Sequence, residues 1–233
     1  MATTNRTADG HVPEGLRSFL HTLEGDPRTD ALSERVKPIA EQLNAGPQGA
    51  LLRGQHIGHA LHPLLTNLPL GCWTAANLLD LLGGRRSAPA AQRLIGLGLL
   101  MVPPTAVTGL VDWDQDAHDP RIRRVGLVHA AANIVATGLY LASWNARRSG
   151  SRGRGIVLGL LGGGVASVSG YLGGHLSFAR GSGQGARGLD EHGATRVTPD
   201  TAAAGIGLEG TDDAVPDAVG AAMSGIDVTD PPA

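Results

Sequence analysis

Four long apolar runs constrain this chain more than any other feature. They cover residues 64–82, 94–111, 125–144 and 155–178, and their only acidic or basic residue other than histidine is Asp80. A helix rises about 1.5 Å per residue and the hydrocarbon core of a bilayer is about 30 Å thick, so roughly 20 apolar residues cross it. A soluble bundle needs a polar face on most of its helices, and these runs lack one. The pattern predicts an all-α fold, a four-helix transmembrane bundle. Bulk averages conceal this. A hydrophobic content of 42% and a net charge of −2 resemble a soluble protein because the polar ends dilute the apolar middle.

The organisation follows from where the polar residues collect. Residues 1–55 form a mostly polar soluble segment, with a short amphipathic helix expected from Ala31 to Leu43, at the membrane surface or against the bundle. Residues 56–180 hold the bundle. From residue 181 to 233 the chain is rich in Gly, Ala, Asp, Thr and Pro. Such a segment buries too little apolar surface to offset its ordering entropy, so a disordered acidic tail is expected. Met1 to Gly10 lack the charged start and apolar core of a cleavable signal peptide, and the first span is expected to act as its own insertion signal. The near-neutral charge argues against nucleic-acid binding. With one cysteine, Cys72, the chain forms no internal disulfide and no thiolate cluster.

Small residues recur every four positions on the last run, at Gly155, Gly159, Gly163 and Ser167, a stripe suited to close contact with a neighbouring helix. Pro69, Pro103 and Pro104 interrupt the first two runs, and neighbouring groups are expected to satisfy the carbonyls they free. Arg85, Arg86 and Arg93 flank the first connection, and Arg147, Arg148, Arg152 and Arg154 fill the third. The middle connection is mixed, with Asp112, Asp114, Asp116 and Asp119 before Arg121, Arg123 and Arg124. Counting basic residues puts the first and third connections inside and both termini outside, on the same side as each other. Asp80 is expected to pair with Arg85 or Arg86.

Tracing the four crossings brings His62, Asp112, His129 and His175 to one membrane face. Ionisable groups at such depth are costly and tend to mark function. His129, Asn133, Thr137, Tyr140 and Trp144 share one helical face; Thr105, Thr108 and Asp112 share another, and Tyr171 lies one turn from His175. Both stripes are expected to point inward. Histidines from separate helices are the usual axial ligands of haem b, and Gly170, Gly173 and Gly174 leave room for a flat macrocycle. His62, His129 and His175 with Asp112 also suit a transition-metal ion, with Asn133 orienting an imidazole. A quinone or proton-relay site is a further alternative. So is a bundle without a cofactor, in which the same groups only hydrogen-bond between helices. No phosphate loop, nucleophile elbow or zinc-protease pair is present, and an enzyme is not expected.

His59-Ala-Leu-His62-Pro63-Leu-Leu-Thr66-Asn67-Leu-Pro69-Leu-Gly71 resembles the opening of a bacterial membrane family known as domain of unknown function 2231. Thr108-Gly-Leu-Val-Asp112-Trp113, His129-Ala-Ala-Ala-Asn133 and Tyr171-Leu-Gly-Gly-His175 resemble its later helices, in order. Some members carry a Rieske iron–sulfur domain after the bundle. The resemblance therefore implies electron transfer at the membrane, through the bundle or an electron-transfer protein partner. A Rieske centre needs two cysteines and two histidines. The chain after Gly185 has no cysteine and only His192, so no such cluster is expected here. The lipid bilayer, that protein partner and a homo-oligomer complete the expected partners.

Overall fold

A computed structural model describes residues 13–182, and every regular element among them is helical. Three short helices come first: α1 (Glu14–Gly25), α2 (Asp30–Asn44) and α3 (Gly46–Leu52). Four long ones follow: α4 (Leu61–Leu82), α5 (Ala88–Asp116), α6 (Pro120–Arg148) and α7 (Arg152–Gly174), the last running into a π-helical turn, His175–Ala179. Each sequence-predicted span lies inside one long helix or its π-helical extension. The expected disordered tail falls, from residue 183 onward, outside the described residues.

The long helices pack in chain order, α4 on α5, α5 on α6 and α6 on α7, with α7 returning to α4. Trp73 of α4 and Tyr140 of α6 stack across the centre at 4.2 Å, with Ala76, Ala91 and Ile95 around them. Gly98 makes this possible, since a Cβ there would lie 2.3 Å from the Trp73 ring nitrogen. The outer faces carry exposed Leu64, Leu97, Leu100, Ile134, Val157 and Val168. α5, α6 and α7 are long and apolar enough to cross a membrane. α4 is not among them; His62, Asn67, Asn77 and Asp80 lower its apolarity.

The prolines sit within continuous helices. Pro63 falls in the first turn of α4, where its missing N–H has no helical partner to lose. Pro69 frees the carbonyl of Leu65, and the Thr105 hydroxyl, bonded mainly to Met101 O at 2.8 Å, also reaches that carbonyl at 3.4 Å. This is the interhelical compensation expected of a membrane proline. Gly54 turns the chain toward α4 in the left-handed region, at φ +73°, where a Cβ would strike the carbonyl of His59.

The N-terminal segment contains three helices where one was expected, and of its two expected positions the 31–43 helix takes the one against the bundle. It docks through Ser33, Val36 and Ala40, leaving Leu32 and Ile39 exposed. The acidic middle connection is largely helix, since α5 continues through Asp112, Asp114 and Asp116 and only Ala117–Asp119 separate it from α6. Tyr171, in the regular part of α7 one turn before His175, is 42% exposed.

Asp80 pairs with Arg147, not with Arg85 or Arg86. Arg147 Nη1 and Nη2 donate to its two oxygens at 3.0 and 2.5 Å, with both side chains almost wholly buried. The glycine stripe explains the choice. Gly155 and Gly159 face Arg147 and Ser143, and a Cβ on Gly155 would lie 2.6 Å from Arg147 Cγ. Missing side chains on α7 thus clear the path along which Arg147 reaches α4. Arg85 and Arg86, on the exposed turn between α4 and α5, remain exposed.

Candidate functional site

The polar stripes of α5 and α6 turn inward, with Thr105, Thr108 and Asp112 buried on one and Tyr140 on the other. At the end where α4 begins they bring two imidazoles together. His62 and His129 lie edge to face, with ring centroids 6.4 Å apart and planes at 89°.

Hydrogen bonding identifies the tautomer of each ring. His62 Nδ1 lies 2.9 Å from the carbonyl of Thr105, and His129 Nδ1 lies 2.8 Å from the carbonyl of Ser169. A carbonyl only accepts, so both rings carry their proton on Nδ1 and present the Nε2 lone pair. Asn133 Nδ2 donates to His129 Nε2 at 3.0 Å, and the Ser169 hydroxyl donates to the carbonyl of His129 at 3.1 Å. Each imidazole also rests over a glycine of a neighbouring helix. A Cβ on Gly109 would lie 2.7 Å from the His62 ring, and one on Gly173 would lie 3.0 Å from the His129 ring. These glycines therefore permit close helix approach at the imidazoles.

His175 serves elsewhere. It lies in the π-helical turn, and its Nε2 donates to Glu24 Oε1 at 3.0 Å. Arg180 Nε and Nη2 donate to the same oxygen at 3.0 and 2.5 Å. Burial raises the Glu24 carboxyl, but the hydrogen bonds and charges of Arg180 and His175 outweigh it and hold the group below its ordinary value. This cluster fastens α1 to the end of α7, beside an apolar contact of Leu20 with Ile122, Val125, Leu172 and Leu176. Asp112 is buried on α5 one turn beyond Thr108, and among the described residues it makes no hydrogen bond to either imidazole. The expected four-ligand metal set of His62, His129, His175 and Asp112 is therefore not assembled. Among the described residues no three His, Cys, Asp or Glu side chains stand where they could hold one ion. What the sequence suggested as one constellation is two: an imidazole pair in the bundle and a carboxylate clamp on its rim.

Sequence reasoning missed Ser169, Glu24 and the docking of α1. Leu16, Leu20 and Leu23 at helical spacing signal an apolar face on α1, but nothing local ties Glu24 to a histidine 151 positions away. Asp30 of α2 adds a second clasp, accepting from Arg123 at 3.1 Å and from Arg124 at 3.0 and 2.8 Å. Asn44 Nδ2 donates to Asp114 at 2.7 Å.

Long helices with apolar outer faces, polar groups turned inward and charges collected at the ends define a helical membrane protein. Within that class the chain belongs to the family described as predicted membrane protein (DUF2231), whose model matches residues 58–186. No curated protein and no solved structure matches the chain.

Proposed function

We propose that α4 crosses the bilayer with α5, α6 and α7, and that His62 and His129 form a two-imidazole site for haem b at one membrane boundary. The exposed leucines of α4, Leu64, Leu68, Leu78 and Leu81, support the fourth crossing, as do the bonds that His62, Asn77 Nδ2 and Asp80 make inside the protein. In this reading the arginine-rich turns face the cytoplasm and the capped end faces outward.

The observation that carries the site is the matched pair of tautomers. Ligating histidines usually donate their other ring N–H to a carbonyl or carboxylate, which fixes the ring and raises its basicity. Here both do so, from helices that face each other across the core. The ring centres stand 6.4 Å apart, edge to face, so one ring must turn for both Nε2 atoms to reach one iron. Thr105 and Ser169 would orient the rings, and His62 and His129 would hold the iron through Nε2. Asn133 occupies the His129 lone pair and is the contact that binding must displace. Bound there, haem supplies reversible one-electron transfer, which suits a carrier serving an electron-transfer protein at the membrane.

A second reading rests on that same Asn133 bond. An imidazole already satisfied at both nitrogens can act as a fastener between α6 and α7, making the bundle an assembly module without a cofactor. The absorption spectrum and metal content of full-length protein purified in mild detergent separate the two. The haem reading expects a Soret band that is lost in His62→Ala and His129→Ala and retained in His175→Ala. A colourless preparation without stoichiometric iron, from cells supplied with haem precursor, removes it and leaves the fastener.

A further inference from the structure

The opposite end of the bundle carries a site of another kind. The first turns of α5 and the turn joining α6 to α7 enclose a cleft of about 340 Å³, lined by Ala88, Pro89, Gln92, Arg93, Arg147 and Arg152. Asp80 supplies the neighbouring carboxylate, and Arg147 holds both its oxygens. No other Asp or Glu occurs between Asp80 and Asp112, or between Asp119 and Asp190. Three guanidiniums therefore share one negative charge, and the excess falls on Arg93 and Arg152.

Neither of these two is neutralised by a close ion pair. Arg152 donates through Nη2 to the carbonyl of Gly84 at 3.1 Å and stands 3.9 Å from Asp80, but its buried Nε has no hydrogen-bond partner. Arg93 is exposed and makes no hydrogen bond or ion pair among the described residues. A buried N–H without an acceptor is costly and rare in folded proteins. In a cleft of excess positive charge, the complementary ligand is an anion with several oxygens. The planar fork of a guanidinium matches phosphate oxygens in particular.

We infer that this cleft binds a phosphate group, held by Arg93 and Arg152 while Asp80 keeps Arg147 in place, and that its source is the headgroup of an anionic phospholipid. Position supports the lipid source. The cleft lies at the ends of helices long and apolar enough to span a membrane, where headgroups lie, and basic pockets between such helices recognise anionic headgroups. Its volume is near the lower limit for small-ligand sites, which suits one headgroup and excludes a macromolecule. Arg85, Arg86, Arg148 and Arg154 add positive charge at the same end. This inference is independent of any cofactor at the imidazole pair.

The test uses full-length protein in a neutral detergent, titrated separately with phosphatidylglycerol, with phosphatidylcholine of the same chains, and with sodium phosphate at constant ionic strength. Melting temperature and native mass spectrometry are read in each. Phosphatidylglycerol is expected to raise the melting temperature saturably and remain bound in the gas phase, while phosphatidylcholine does neither. Arg93→Gln with Arg152→Gln is expected to lower the apparent affinity roughly thirtyfold, at about tenfold or less per arginine. Arg93→Gln alone, at an exposed position, is expected to lower it about fivefold without touching the fold. Arg121→Gln, at the other end, is expected to change nothing. If sodium phosphate produces the same saturable shift, lost in the same variants, the phosphate site stands and the lipid source is rejected. Equal stabilisation by both lipids, or wild-type affinity in Arg93→Gln, overturns the proposal.

Discussion

The two ends of the bundle solve the same problem in opposite ways. Where α5 meets α6, and where α4 begins and α7 ends, charged groups are neutralised by chain segments distant in sequence. Glu24 and Asp30 come from the N-terminal helices to meet His175, Arg180, Arg123 and Arg124. Where α4 meets α5 and α6 meets α7, the turns are short, nothing covers them among the described residues, and one buried ion pair stands against an excess of arginine. The capped end is an assembled surface; the bare end is an electrostatic one. This difference indicates where each end draws its stability, from docking of separate helices at one and from a single desolvated pair at the other.

That contrast can be broken most forcefully at Asp80. Asp80→Ala leaves Arg147 buried without a counter-charge, and loss of one partner from such a pair costs about 3–5 kcal/mol. A large fall in melting temperature in detergent is expected, with much of it recovered when Arg147→Met removes the second charge as well. An unchanged melting temperature for Asp80→Ala would mean that water reaches the pair and that the bare end is no different from the capped one.

At the capped end the matching change is Glu24→Gln. Hydrogen bonds to charged groups contribute about 1.5–3 kcal/mol, so α1 is expected to loosen while the bundle stays folded. Amide exchange over Glu14–Gly25 rises more than tenfold, with little change in α5 or α6. Uniform exchange across all helices would show that the cap and bundle are a single cooperative unit.

The middle of the bundle, common to both ends, is sharpened by Gly98→Ala. The added methyl must displace Trp73, which is stacked on Tyr140. Overpacking of this kind costs about 1–3 kcal/mol, read as a lower melting temperature with a changed near-ultraviolet signal from the tryptophan.

The smallest effect is a dependence on pH confined to the cap. Asp30 is held at about 2 against an ordinary 3.8, chiefly by the Arg124 hydrogen bond, opposed by burial and reinforced by Arg123. A carboxyl with a lowered folded value stabilises fully above its unfolded value and loses that contribution as pH falls toward the folded one. Docking of α2 is therefore expected to weaken from about pH 4 toward pH 2. Trp113 packs with Ala40 of α2, so tryptophan emission should shift over that interval in wild type. The shift should be absent in Asp30→Asn.

Much of this architecture is legible in one dimension. A span needs only a long enough apolar run, and the prolines, the glycine stripe and the inward stripes of α5 and α6 follow from helical geometry. The shared end of His62 and His129 follows from counting crossings. The partners do not. Asp80 is only five residues from Arg85 but pairs with Arg147, because glycines on a third helix open the route. His175 keeps company with His62 and His129 in the motif sequence, but a π-helical turn and a carboxylate from α1 take it away.

The order of residues by itself determined that this is an all-helical membrane chain, where its long apolar helices run, and which polar groups could not face lipid. Those are consequences of solvation and period, which act on each segment separately. Only the tertiary structure decided which donor meets which acceptor. Pairing of buried charges depends on the space left between helices, and that space is made by residues that carry no charge.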